Sequence, residues 1–153
     1  MATTSLPESP VHDAARLLGG PAVLHRSIRR EEQVIALVRE GIPVHALERV
    51  SETLDCSEQR VADLVGVSSR TLARRKREKA GVLEPEASDR LFRLAGVLAR
   101  AESVLGDLSK ASRWLRAVNR ALGGEAPLDL LDTDVGTREV EAVLGRIEHG
   151  VFS

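Results

Sequence analysis

One cysteine, no tyrosine, one tryptophan and two phenylalanines are all that this 153-residue chain offers of the residues that build disulfide frameworks, thiolate metal sites and aromatic-rich sheets. With Cys56 alone, neither an intrachain disulfide nor a cysteine-based zinc site can form, and a reducing cytoplasm is the compartment that fits. The histidines, His12, His25, His45 and His149, stand too far apart in sequence to gather on a metal. No apolar run reaches the 18 residues a membrane helix needs, and the N-terminus lacks a basic stretch followed by an apolar one, so neither export nor membrane insertion is expected. The Gly-Gly-x-x-Pro break and the acid-rich LLDTD lack the glycine spacing and the lysine of phosphate loops, and no Ser/His/Asp or Cys/His arrangement stands out. No catalytic residue, metal or cofactor is therefore expected.

What remains is rich in Leu, Val and Ala. Hydrophobic residues make up 42% and charged residues 29%, a globular balance, and the apolar positions recur at three and four. An all-α fold is predicted. The net charge of −1 conceals a local asymmetry. Residues 61–80 hold six basic against two acidic side chains, whereas 1–60 hold seven against nine and 81–153 nine against twelve. A basic excess confined to one stretch points to an anionic partner at one face and a different, uncharged or basic partner elsewhere.

Along the chain, residues 1–12 read as a disordered tail. Residues 13–84 read as a helical N-terminal region and 85–153 as a helical C-terminal domain. DAARLLGG predicts a short helix. SIRREEQVIALVREG predicts another, with Ser27 as N-cap and Ile28, Val34, Ile35, Leu37 and Val38 as its apolar side. Pro43 opens a third, in which Val44, Leu47, Val50 and Leu54 recur at helical spacing. Beyond Pro85, SDRLFRLAGVLARAESVLG places Leu91, Leu94, Leu98 and Leu105 on one stripe and Phe92, Ala95 and Ala99 on the next, so this helix should pack on two sides. Ser109 is expected to open a helix running to Gly123-Gly124 with Ala111, Leu115, Val118 and Leu122 inward, and Trp114 reads as a core anchor. VGTREVEAVLGRIEHG closes the set, with Val140, Val143, Leu144 and Ile147 at the same spacing.

Residues 57–80 follow helix-turn-helix grammar. Ser57 caps EQRVADLV, Gly66 supplies the bend, and Ser68 caps a second helix running to Gly81. Ala62 is small where the helices approach, and Val67 and Leu72 pin the second helix. Ser69, Arg70, Ala73 and Arg74 then face outward, toward base edges if the helix enters a major groove. Lys76, Arg77 and Lys79 suit phosphates. The predicted DNA-contact set is Ser68, Ser69, Arg70, Thr71, Arg74, Lys76, Arg77 and Lys79. Arg75 departs from the pattern, standing where such motifs bury an apolar side chain; it is expected to lie along the core and reach out to solvent.

The C-terminal half closely resembles the Xre/MbcA/ParS family of type II antitoxins, whose toxins carry a RES domain. The residues that carry the resemblance are Ser88-Asp89-Arg90-Leu91, Ala101-Glu102, Gly106 and Trp114-Leu115, followed by Asn119-Arg120-Ala121-Leu122-Gly123-Gly124, Pro127-Leu128, Leu131-Asp132-Thr133, Gly136 and the ending Arg146-Ile147-Glu148-His149-Gly150-Val151. It spans roughly residues 45–153, with Ala117-Val118 standing where the family usually has Thr-Pro.

The resemblance implies an Xre-like helix-turn-helix domain followed by a helical toxin-binding domain. RES toxins resemble ADP-ribosyltransferases and consume NAD, and family antitoxins shield the cofactor pocket, often with their C-terminal segment. Carried over, the tail His149, Gly150, Val151, Phe152 and Ser153 approaches the pocket, with Phe152 as apolar anchor. Further contacts would come from the 128–146 region, including Asp132, Thr133 and Arg146. The implied partners are a RES-domain toxin and palindromic operator DNA in the chain's own promoter. The implied assembly is a homodimer that joins a higher-order complex with toxin. Two rivals stand beside this reading: a stand-alone transcription factor whose C-terminal half only dimerises, and an interaction module whose motif no longer binds DNA.

Overall fold

A computed structural model describes residues 9–150. Among these residues nine α-helices and two short 3-10 turns succeed one another, with no sheet and only isolated bridges at Pro43–Val82 and Asn119–Glu125. The first helix, α1 (Pro10–Leu17), corrects the predicted tail. The Ser9 hydroxyl accepts the His12 backbone N–H at 3.2 Å and Pro10 occupies the first helical position, so order begins before residue 12. The remainder of that tail, residues 1–8, lies outside the described residues. After α2 (Gly20–Leu24), α3 (Glu31–Glu40) starts later than Ser27, because the Gln33 side chain accepts the backbone N–H groups of Arg29 and Arg30 at 2.8 and 3.0 Å. Leu37 is its buried anchor, whereas Ile35 is 51% exposed and does not belong to the apolar side.

The helix pair at the centre of the sequence forms as its residue types require. α4 (Val44–Leu54) buries Val44, Leu47, Val50 and Leu54 and leads into α5 (Glu58–Val65), capped by Ser57 on the Arg60 N–H at 3.0 Å. Gly66 turns the chain with φ +79°, a conformation that costs glycine little. α6 (Ser69–Arg77) follows, its N-terminus capped by Ser68 on the Thr71 N–H at 3.1 Å, with Leu72 buried. It ends sooner than Gly81: Glu78 is extended and Gly81 packs against the Arg75 carbonyl, so Lys79 stands in the following loop.

α7 (Pro85–Leu105) is the strut of the fold, packing on α1, α3, α5, α8 and α9. Leu91, Leu94, Ala95, Leu98 and Ala99 are all buried on it, so the expected two-sided packing is met. α8 (Leu108–Arg116) opens one residue before Ser109, capped by the Asp107 carboxylate on the Lys110 N–H at 2.7 Å. It also stops well short of Gly123. Ala117 is extended, Asn119 caps the 3-10 turn Arg120–Leu122 through the Ala121 N–H at 3.0 Å, and the Asn119 N–H donates to the Glu125 carbonyl at 3.0 Å. Those local bonds compete with helix continuation, so Val118 is 78% exposed rather than inward. Trp114 is half-buried against the core rather than enclosed by it.

The chain closes through a second 3-10 turn (Pro127–Leu130) and α9 (Asp134–Glu148), which is capped by Thr133 and buries Val140, Val143 and Leu144. Gly136 packs so tightly on the Leu130 carbonyl that a Cβ there would collide with its oxygen. One cluster of buried residues runs from Ala14 to Leu144 through both halves of the chain. No helix among the described residues is long and apolar enough to cross a membrane.

Candidate functional site

The exposed side of α6 is cationic because its inward side is fully used by packing. Val67 and Leu72 are 7% and 6% exposed, so the helical period turns Ser69, Arg70, Ala73, Arg74 and Arg77 to solvent. Within the described residues Arg70, Arg74, Arg77 and Lys79 make no side-chain hydrogen bond or ion pair, and they stand open to an anion. Ser68 and Thr71 are committed otherwise. The Ser68 hydroxyl caps the helix and also donates to Thr71 Oγ1 at 3.0 Å, so both help set the entry geometry of α6.

Lys76 differs from its neighbours. Its ammonium is 2.5 Å from Glu58 Oε2 and 3.6 Å from Glu48 Oε1, and the hydrogen bond to Glu58 raises its pKa above the ordinary lysine value. Of the expected phosphate contacts it alone must first leave a carboxylate. Arg75 lies as its sequence position demands: its side chain is only 22% exposed, and its guanidinium reaches Glu84 at 2.6 Å and Glu78 at 3.2 Å. The bond to Glu78, with Glu84 adding to it, holds its pKa above the usual arginine range. Its Nε is buried with no hydrogen-bond partner, a cost that an apolar residue there would avoid.

The predicted C-terminal contact residues are not gathered into one spot. Asp132 and Thr133 precede α9, while Arg146 and His149 lie near its other end, about 20 Å away at 1.5 Å rise per residue. Thr133 serves the fold. Its Oγ1 accepts the Gly136 N–H at 2.9 Å, and its carbonyl accepts the Thr137 hydroxyl at 2.9 Å. Asp132, Arg146, His149 and Gly150 are exposed, and Val151, Phe152 and Ser153 lie outside the described residues.

Two features escaped the sequence reading. A groove of about 490 Å³ runs between α1, α7 and α9, floored by Val11, Phe92, Gly96 and Ala99 and rimmed by Arg138 and Glu141. Only the tertiary pairing of α1 with α7 creates it, so no local pattern announces it. The second is the cationic outer side of α8, where Lys110, Arg113 and Arg116 all point to solvent. Its signal, alternating basic residues three apart, was present but diluted by the acids that follow. No group of three or more metal-ligating side chains occurs among the described residues. Burial pushes the Cys56 thiol pKa up, partly opposed by Arg60 and Arg116.

Against known proteins, residues 33–96 match a family model described as an antitoxin Xre-like helix-turn-helix domain. Residues 100–150 match one described as an antitoxin Xre/MbcA/ParS C-terminal toxin-binding domain. Among curated relatives, a protein named antitoxin Xre from Yersinia enterocolitica is 33% identical over 117 residues, covering 76% of this chain and 78% of the relative. Its namesake from Photorhabdus laumondii is 31% identical over 119 residues, covering 77% and 80%. A Sphingobium protein named "Prs ADP-ribosylating antitoxin" is 27% identical over 146 residues, covering 88% and 91%.

Proposed function

The chain belongs to the Xre/MbcA/ParS antitoxin family and is the helix-turn-helix antitoxin of a toxin-antitoxin system; from that premise we propose that it neutralises a RES-domain, NAD-consuming toxin by covering its active site and represses its own promoter. The resemblance of residues 88–151 to antitoxins of RES toxins supports the toxin class. So does the Sphingobium relative, since a name that refers to ADP-ribosylation refers to chemistry that uses NAD. The antitoxin itself performs no catalysis in this scheme and works in the cytoplasm. Its division of labour follows the chain: 13–84 holds the DNA element at 57–80, and 85–153 holds the toxin.

The observation that carries the DNA half is the pair Arg70 and Arg74, exposed on the second helix of the motif and without carboxylate partners among the described residues. An arginine fork matches the two acceptors on a guanine edge, a contact worth about 1–3 kcal/mol of discrimination. A homodimer would present two such helices one duplex turn apart, which suits a palindromic operator. On the toxin side, α9 ends at Glu148 with His149 and Gly150 exposed, at the start of the segment that this reading places in the toxin pocket. Those residues, 149–153, are the plug. Asp132 and the α9 acids complement basic groups that a nucleotide pocket uses for phosphates.

Co-expression with the neighbouring gene product, followed by co-purification and measurement of cellular NAD, tests the toxin half. NAD should hold steady with the full chain and fall when residues 149–153 are deleted; intact inhibition by the truncated chain refutes the plug. For the DNA half, Arg70→Ala with Arg74→Ala should abolish preference for the promoter duplex while leaving toxin co-purification intact.

A further inference from the structure

α8 and the turn after it, LSKASRWLRAVNR, carry four cations in thirteen residues, Lys110, Arg113, Arg116 and Arg120. The helix buries Ala111 and Leu115 completely and Ser112 to 4% exposure, so its period forces the basic positions to the opposite side. All four are exposed. Lys110, Arg113 and Arg120 meet no carboxylate among the described residues. Arg116 pairs with Asp55, 4.0 Å away and itself 87% exposed, which neutralises little.

The strip's position in the fold says what it meets. Ser112 Oγ donates to the carbonyl of Leu54, the last residue of α4, at 2.9 Å. That bond fastens α8 beside the entry to α5, whose cap is Ser57. Arg116 Nη2 stands 4.0 Å from Asp55 Oδ2, just ahead of the Ser57 cap, which puts the strip's edge at the approach to α5. α5 is the first helix of the motif, and where the second helix enters a major groove the first crosses the phosphate backbone. Arg116 therefore stands next to the end of the motif that lies on phosphates, and Arg113 and Lys110 continue the charge along α8 from it, with Arg120 in the turn that follows.

We propose that Lys110, Arg113, Arg116 and Arg120 form a second phosphate-contact strip, supplied by the toxin-binding half of the chain, that grips the duplex backbone flanking the helix-turn-helix. The inference rests on the DNA-binding reading above. Its contacts bring affinity without sequence preference, because phosphates carry no base identity. The strip also makes the C-terminal half part of the DNA complex.

The test measures binding of the full chain to its promoter duplex and to a random duplex of equal length, from low to high salt. The variant is Lys110→Gln with Arg113→Gln and Arg120→Gln, leaving Arg116, which touches Ser112 and Asp55, in place. Both duplexes should bind more weakly, the promoter-to-random ratio should hold, and the slope of log affinity against log salt should shrink by about 2–3. Toxin co-purification should survive. An unchanged slope in a variant with wild-type helicity overturns the proposal, and if toxin binding is lost at the same time the strip belongs to an acidic protein surface instead. Arg70→Ala with Arg74→Ala is the contrasting control: it should collapse the promoter-to-random ratio. Failure of the DNA reading itself would look different, with the wild-type chain binding neither duplex, and both ideas would fall together.

Discussion

Ser88→Ala is the sharpest test of how the fold is held. Ser88 and Ile42 are both 0% exposed, and the Ser88 hydroxyl accepts the Ile42 backbone N–H at 2.8 Å while donating to the Leu83 carbonyl at 3.2 Å. Alanine fits the space but leaves the Ile42 N–H buried and unpaired, a cost of about 1–3 kcal/mol. For a chain of this size about 2 kcal/mol lowers the melting temperature by about 4–8 °C. Ser112→Ala supplies the comparison. Its hydroxyl donates to the Leu54 carbonyl at 2.9 Å and accepts a longer bond from Arg116 Nε at 3.4 Å, so the substitution strips one bond from an acceptor with two lone pairs and one from an exposed side chain, which is tolerated better than an orphaned buried donor. About 1 kcal/mol is expected there. Urea unfolding followed by far-ultraviolet circular dichroism reads both, with midpoints falling and slopes unchanged. If Ser88→Ala costs less than about 0.5 kcal/mol, or less than Ser112→Ala, the orphaned-donor reasoning is wrong.

Gly136→Ala should destabilise by about 1–3 kcal/mol, because its methyl group meets the Leu130 carbonyl and displaces the Thr133 cap, and toxin co-purification should weaken with it. A wild-type melting curve would count against that packing. Lys76→Gln should reduce the salt slope of promoter binding less than Arg77→Gln, for which a change of about 1 is expected, since Lys76 already holds Glu58. Equal effects would mean that the ion pair opens freely on DNA. Cys56 should react with iodoacetamide at pH 8 more slowly in the folded chain than in urea, because burial raises its pKa and lowers its thiolate fraction; equal rates would contradict the burial.

Most of the helix-turn-helix was legible because each of its positions has one physical demand. Ser57 and Ser68 cap, Gly66 takes positive φ, Ala62 fits a close approach, and Leu72 anchors; local chemistry and tertiary packing agree at all five. Helix ends were harder. Leu115, Val118 and Leu122 keep helical spacing, yet Asn119 offers the backbone a competing set of bonds, and Val118 turns outward. The start of α3 moved for a similar reason, as Gln33 folds back on Arg29 and Arg30 instead of Ser27 capping the turn. At the candidate site, sequence could mark Arg70 and Arg74 as outward cations but not separate them from Lys76, since Glu58 lies eighteen residues earlier and only the crossing of α5 and α6 brings it near. The strip on α8 was hidden by averaging: its cations share a regional count with Asp129, which pairs with Arg60, and with Asp134, which pairs with Arg93.

The two halves of the molecule are joined by apolar burial rather than by their ion pairs. Arg16–Glu102, Arg60–Asp129 and Asp55–Arg116 cross between them, but every partner is at least 26% exposed, and exposed pairs contribute at most about 1 kcal/mol. Leu91, Leu94 and Leu98 of α7 are 0%, 3% and 0% exposed, and burying one such side chain is worth about 1.5–3 kcal/mol. α7 therefore belongs to both halves: α3 and α5 pack on it from the DNA-element side, α8 and α9 from the C-terminal side. Raising salt should then weaken duplex binding through the phosphate contacts while leaving the arrangement of the two halves in place. A face on α8 or α9 keeps its bearing relative to α6 through this shared core.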